Sequence, residues 1–205
     1  MQTRTKVNSS RRGRPPAYDR DRALAAIVET FRRRGFAATT LDELSAATSM
    51  NRPSLRAAFG DKKAMYLTAV ERYRRDLIEV VSAPAEQTRA LGDTMVTFFD
   101  AAIGFYCAGS SPGCLVLCTA TAEAVADDDI RAALAGVLAE IEGRIADRVG
   151  RAARGGSVLP DAAGVVTLLS AVLVAIAIQA RAGVPEPELR ALARSAVGAA
   201  LPSTS

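Results

Sequence analysis

Residues 40–65, TLDELSAATSMNRPSLRAAFGDKKAM, are punctuated so closely that they predict two short helices around a tight turn, followed at once by the start of a third. Thr40 is a good N-cap, and Glu43 three residues on completes a capping box. Leu41, Leu44 and Ala47 recur at helical spacing on one face. The pattern breaks at Thr48-Ser49-Met50, polar residues around one apolar plug. Asn51 can cap a second helix, and Pro53 is tolerated because it falls in that helix's first turn. Leu55, Ala58 and Phe59 supply an inner face, Gly60 stops the helix, and Asp61 caps the next.

Two short helices joined by a three- to four-residue turn, the second with a polar outer face, make the helix-turn-helix outline. Its physical purpose is to push the front of the second helix into the major groove of DNA. Asn51, Arg52, Ser54 and Arg56 are the side chains so presented. Residues 18–75 resemble the DNA-binding domain of the TetR family of transcriptional regulators. The resemblance is carried by Phe31, Gly35-Phe36, Thr39-Thr40, Leu44, Ser54-Leu55 and Phe59-Gly60-Asp61-Lys62. It implies phosphate contacts from Thr40, Lys62 and Lys63. Two positions depart from the family pattern. Ser49 stands where glycine is usual and must take φ > 0 or reshape the turn. Arg56 stands where a phosphate-touching Tyr is usual, and can reach a phosphate or a guanine edge.

Charge supports a polyanion partner. Residues 1–75 hold 17 Lys and Arg against 7 Asp and Glu, a balance of +10, whereas the remainder of the chain carries −6. Residues 1–17 are polar, basic and proline-bearing, which predicts a flexible arm. Arg12 and Arg14 within it suit a narrow minor groove, although a solvated tail has the same composition. The Arg32-Arg33-Arg34 run ends a first helix over 19–34, where the helix dipole favours cations; a phosphate contact is the alternative.

The 49% apolar content rich in Ala and Leu, with strand-type residues scattered, argues an all-α fold. Together with the resemblance it predicts about nine helices: an N-terminal three-helix bundle over 18–62 and a larger ligand-binding and dimerisation domain over 63–202. A fourth helix is expected from Asp61 to Ser82, stopped by Pro84; a fifth over 86–107; a sixth over 114–125; and a seventh from Asp127-Asp128-Asp129 along Ile130, Leu134, Val137, Ile141, Ile145 and Val149. The eighth, over 161–182, is apolar nearly all round. That predicts burial on both sides, within its own chain and against a second subunit, rather than a membrane span. A ninth over 186–199 adds a second apolar face. TetR relatives pair these last two helices into a homodimer, which would hold two heads about 34–36 Å apart on a near-palindromic, double-stranded DNA operator.

The family also binds a small-molecule effector among helices four to eight. Met95, Phe98, Phe99, Phe105, Tyr106, Leu117, Thr121 and Ile141 are the candidate lining for an apolar or aromatic molecule, and core filling is the competing role for each. Cys114, behind Pro112-Gly113 at a helix start, has a context that lowers a thiol pKa; with Cys118 and Cys107 it outlines a redox or electrophile sensor, against plain packing. The absence of any His, and of phosphate-loop or nucleophile-elbow motifs, leaves catalysis, including a small enzyme acting on an acidic polymer, without support. No cofactor or metal is called for: the Asp127–Asp129 run is explained by the helix dipole. Three cysteines in no metal spacing and a polar, basic N-terminus predict a cytoplasmic protein.

Overall fold

The computed structural model describes residues 19–85, 90–155, 159 and 161–201, and the described residues form nine α-helices and no strand. The head comprises α1 (Arg20–Arg34), α2 (Leu41–Thr48) and α3 (Arg52–Phe59), with the start of α4 (Lys62–Ala85). Local chemistry sets each boundary. Asp19 Oδ1 accepts the Asp21 and Arg22 N–H groups at 3.0 and 3.2 Å, and Gly35, at φ 76°, returns its N–H to Phe31 O at 2.8 Å. Thr40 and Glu43 form the expected capping box. Gly60 separates α3 from α4 at φ 83°, and Asp61 then caps α4 through the Ala64 N–H at 2.8 Å.

Leu24, Ile27 and Phe31 of α1, Leu44 of α2, Met50 of the turn, Leu55 and Phe59 of α3 and Met65 of α4 are buried together. Tyr66 meets Phe31 edge-on, with ring centroids 5.1 Å apart, and carries this core toward the body through a 2.8 Å bond between its hydroxyl and that of Thr119.

The body is built around α5 (Leu91–Cys107), which packs on α4, α7, α8 and α9. Its Met95, Phe98, Phe99, Ala102, Ile103 and Tyr106 are sealed from solvent on that account. Then follow α6 (Leu115–Thr119), a 3₁₀ turn (Glu123–Val125), α7 (Asp128–Arg154), α8 (Ala162–Arg181) and α9 (Glu186–Ala200). By length and composition α8 could cross a membrane; here it packs on α5, α6, α7 and α9 while leaving Leu168 and Ile178 exposed at 46% and 51%.

Three expected boundaries shift. The sixth helix is one short turn plus a 3₁₀ turn instead of a continuous run. α6 ends at Thr119, whose hydroxyl bonds Leu115 O at 2.6 Å and meets the Tyr66 hydroxyl at 2.8 Å, and Ala120 closes the turn onto Val116 O. Pro84 does not stop α4, which is helical through Ala85; Arg148 of α7 donates to Val81 O in this last turn, at 3.2 Å. The fifth helix is described from Leu91, and residues 86–89 of the expected span lie outside the described residues.

Candidate nucleic-acid interface

The turn between α2 and α3 closes through backbone bonds from Ser49 N to Ala46 O (3.3 Å) and from Met50 N to Ser45 O (3.2 Å). Ser49 adopts the left-handed conformation, φ 55° and ψ 27°, so the first of the two outcomes open at this position is the one realised. The Ser45 hydroxyl donates to Met50 O and so braces the same turn from within.

Beyond the turn, Asn51 caps α3 by accepting the Ser54 N–H on Oδ1 at 2.8 Å. Leu55 and Phe59 anchor α3 inward, and Asn51, Arg52, Ser54 and Arg56 stand exposed on its other side. Arg52 is not free: its Nε and Nη2 both meet Oδ1 of Asp42, on α2. Behind them Arg34 pairs with Glu43 at 2.8 Å. The Glu43 carboxyl is held below the usual carboxylate range, chiefly by the Thr40 backbone N–H.

The expected phosphate contacts are less uniform. Thr40 is exposed, with its hydroxyl engaged by Glu43 in the capping box. Lys62 donates to Ala37 O at 3.2 Å and lies 4.5 Å from the Phe36 ring centroid, bracing the α1–α2 connection. Lys63 faces the body, where Asp129 and Asp127 hold it at 2.7 and 3.3 Å; these bonds raise its pKa, with the Asp129 hydrogen bond the larger cause. Arg12 and Arg14 lie outside the described residues. Each acid of the Asp127–Asp129 run has protein partners: Asp127 caps α7 and also meets Lys63, Asp128 pairs with Arg131, and Asp129 pairs with Lys63.

Two buried cations were not singled out by sequence reasoning. Arg32, placed in the run that ends α1, turns into the body and donates to Tyr106 O, Ala108 O and Gly113 O at 3.3, 3.2 and 3.4 Å. Tyr73 of α4 donates to the same Gly113 carbonyl at 3.3 Å, which joins α1, α4 and the segment leading into α6 at one point. Arg148 lies over the Phe98 ring, 4.7 Å from its centroid. A signal for each was present: Arg32 falls four residues after Val28, and Arg148 is seven after Ile141 and three after Ile145, so both sit on apolar stripes.

In the body, a narrow cavity of about 270 Å³ including its mouth is lined by Tyr73, Leu77, Cys114, Val116, Val137 and Ile141, among others. Only about 10 Å³ of that space can hold the centre of a water molecule, far below the roughly 300 Å³ at which small-molecule pockets usually begin. Of the eight candidate lining residues, Ile141 borders it. Met95, Phe98, Phe99, Tyr106 and Leu117 are buried core, Phe105 stacks at a tilt on Tyr73 with centroids 5.0 Å apart, and Thr121 is exposed.

The three cysteines are free thiols. Cys114 is sealed, and burial pushes its pKa up to about 11, opposite to the lowering expected from a helix start. The five-residue α6 supplies too little dipole to offset that desolvation. Burial also raises Cys107. Cys118 is half-buried, with its sulfur 3.6 Å from Ala177 O.

Comparison with known proteins matches this geometry. The domain profile described as bacterial regulatory proteins, tetR family, covers residues 23–69. The HTH-type transcriptional repressor ComR of Escherichia coli K12 is 39% identical over 62 residues, 30% of each chain. The repressor BdcR of the same organism is 29% identical over 114 residues, covering 55% of this chain and 58% of its own. The chain thus matches less than two thirds of the length of either relative. A solved structure of the TetR family regulator CifR, a cysteine mutant complexed with 26-base-pair double-strand operator DNA, superposes with a TM-score of 0.82 at 27% identity, covering 93% of this chain and all of that one. With its helix-turn-helix head and all-α body, the chain carries a match to the tetR family's DNA-binding domain over residues 23–69 and resembles a TetR family regulator along nearly its whole length.

Proposed function

We propose that the chain is a homodimeric, ligand-responsive transcriptional repressor that reads a near-palindromic operator. The observation that carries this reading is the exposed face of α3, where Asn51, Arg52, Ser54 and Arg56 project from a helix locked by Leu55 and Phe59. The likeness to an operator-bound regulator over nearly the whole chain supports it. In this reading those four side chains enter the major groove, Arg12 and Arg14 follow the minor groove, and Thr40, Lys62 and Lys63 hold phosphates after exchanging their present partners. Leu168 and Ile178, left bare on α8, support pairing of α8 and α9 with a second copy.

Induction follows from the same geometry. An apolar effector that widens the narrow cavity pushes on Tyr73 and Cys114, beside the Gly113 carbonyl that also holds Arg32 of the head. It must bind the released state more tightly than the DNA-competent one. Footprinting the purified protein on the DNA flanking its own coding sequence tests the reading, with light scattering for the dimer. A protected, near-symmetric site is expected; a monomer indifferent to duplex DNA at low salt would overturn it.

The thiol-sensing alternative now rests on the half-buried Cys107 and Cys118 instead of Cys114. Native alkylation with iodoacetamide should modify those two first, and it supports sensing only if operator binding or its release by inducer changes with modification.

A further inference from the structure

Arg52 opens α3 with its side chain 57% exposed, yet its guanidinium is engaged on one side: Nε and Nη2 both meet Oδ1 of Asp42, ten residues earlier on α2. A guanidinium presents five N–H donors in a rigid planar fork. The side edge, Nε–H with one Nη2–H, is the edge that Asp42 occupies. The end edge, one Nη1–H with the other Nη2–H, is left with two parallel donors. That pair can meet O6 and N7 of a guanine together.

We propose that Asp42 is a positioning residue for sequence readout: it grips the side edge of Arg52 so that the end edge is presented, already oriented, to a guanine in the major groove. This rests on the operator reading given above and specifies one base of it.

Alternative reasons for an acid at this position fall short. The first turn of α2 favours acids through its dipole, and both Asp42 and Glu43 occupy it. That accounts for a carboxylate at 42 but not for its bond across the turn to Arg52. An exposed ion pair adds little stability, and Asp42 is 68% exposed. A carboxylate on the presenting side of the head also opposes the phosphates, lowering affinity for every sequence alike. Holding a flexible arginine in one geometry offsets that penalty only at a site with the matching base, so the pair favours discrimination over affinity.

The test uses the full chain in anisotropy titrations against the footprinted operator, its single-base variants and an unrelated duplex, at several salt concentrations. Wild type should discriminate against loss of one guanine per half-site by about 5- to 150-fold, the range of a bidentate pair. Arg52→Ala should erase that preference. Asp42→Asn should shrink it at least about threefold while the unrelated duplex binds equally or more tightly, and its salt slope should steepen by about one phosphate as Arg52 turns to the backbone. Unchanged helicity and thermal midpoint would show that Asp42→Asn is folded; a misfolded variant passes the test to Asp42→Ser, which likewise removes the charge. The inference is overturned if the uncharged variant keeps the wild-type guanine preference, or if Arg52→Ala weakens all duplexes alike. A wild-type chain that binds no duplex brings down the operator reading itself.

Discussion

At Ser49 the backbone stands at φ 55°, ψ 27°, where an L side chain is disfavoured, and the backbone bonds of the turn leave it no alternative. Glycine removes that penalty but loses more freedom on folding, so the two effects partly cancel. Ser49→Gly should raise stability by about 0.5–1 kcal/mol in urea unfolding and leave operator affinity unchanged; a lowered midpoint would mean the hydroxyl holds the turn. Gly113 presents the opposite case. Its φ is 96°, and a Cβ there would lie 2.9 Å from Arg181 Cβ, 3.0 Å from Ala177 O and 3.1 Å from the Cys118 sulfur. Backbone strain and overpacking then act together, so Gly113→Ala should cost about 3 kcal/mol or more, read from the same unfolding curves. A neutral Gly113→Ala would show that α8 yields easily at this contact.

Among the helices, the three arginines that end α1 look alike in sequence and do different work. Arg33 is exposed, whereas Arg32 is buried and supplies hydrogen bonds to three carbonyls, one in the last turn of α5 and two in the segment that leads from it to α6. Arg32→Ala leaves these carbonyls short of a donor and should destabilise by about 2–4 kcal/mol, whereas Arg33→Ala should cost about 0.5 kcal/mol. Equal effects in thermal unfolding would return the whole run to a simple dipole role. This contrast shows where sequence stops being readable. Caps and stops are local chemistry, so Thr40, Asn51, Gly60, Asp61 and Asp127 could be assigned from neighbours a few residues away. The direction of a long cation is not local. Arg32, Lys63 and Arg148 all find partners about 65 to 80 residues distant in the chain, which periodicity does not encode. The sixth helix stops after Thr119, whose hydroxyl also meets that of Tyr66, 53 residues away in the chain, a partner that no local pattern reveals. The candidate lining of the body pocket came mainly from the family resemblance and from the aromatics concentrated on α5, and Met95, Phe98, Phe99, Tyr106 and Leu117 of that set are buried.

Across the whole molecule, burial of neutral acids ties stability to alkaline pH. Tyr66 is pushed from 10.0 up to about 12 and Cys114 from 9.0 up to about 11, in both cases chiefly by burial, and burial holds Tyr73 and Tyr106 well above their ordinary value too. Each group stays neutral in the folded chain at pH values where the unfolded chain ionises. Their contribution is therefore complete below pH 9 and is lost as pH rises through the folded values, since the unfolded state then binds fewer protons. Cys114 and Tyr66 alone represent about 2–3 kcal/mol each, a large share of the roughly 5–15 kcal/mol that holds a domain together. The urea midpoint, followed at fixed protein concentration, should hold steady from pH 7 to 8.5 and fall progressively from pH 9 to 11. Cys114→Ala should flatten the first part of that fall, because in the unfolded chain a thiol ionises at lower pH than a tyrosine. A midpoint that stays level to pH 11 would mean that water reaches these side chains, and that the body is far looser than its packing around α5 implies.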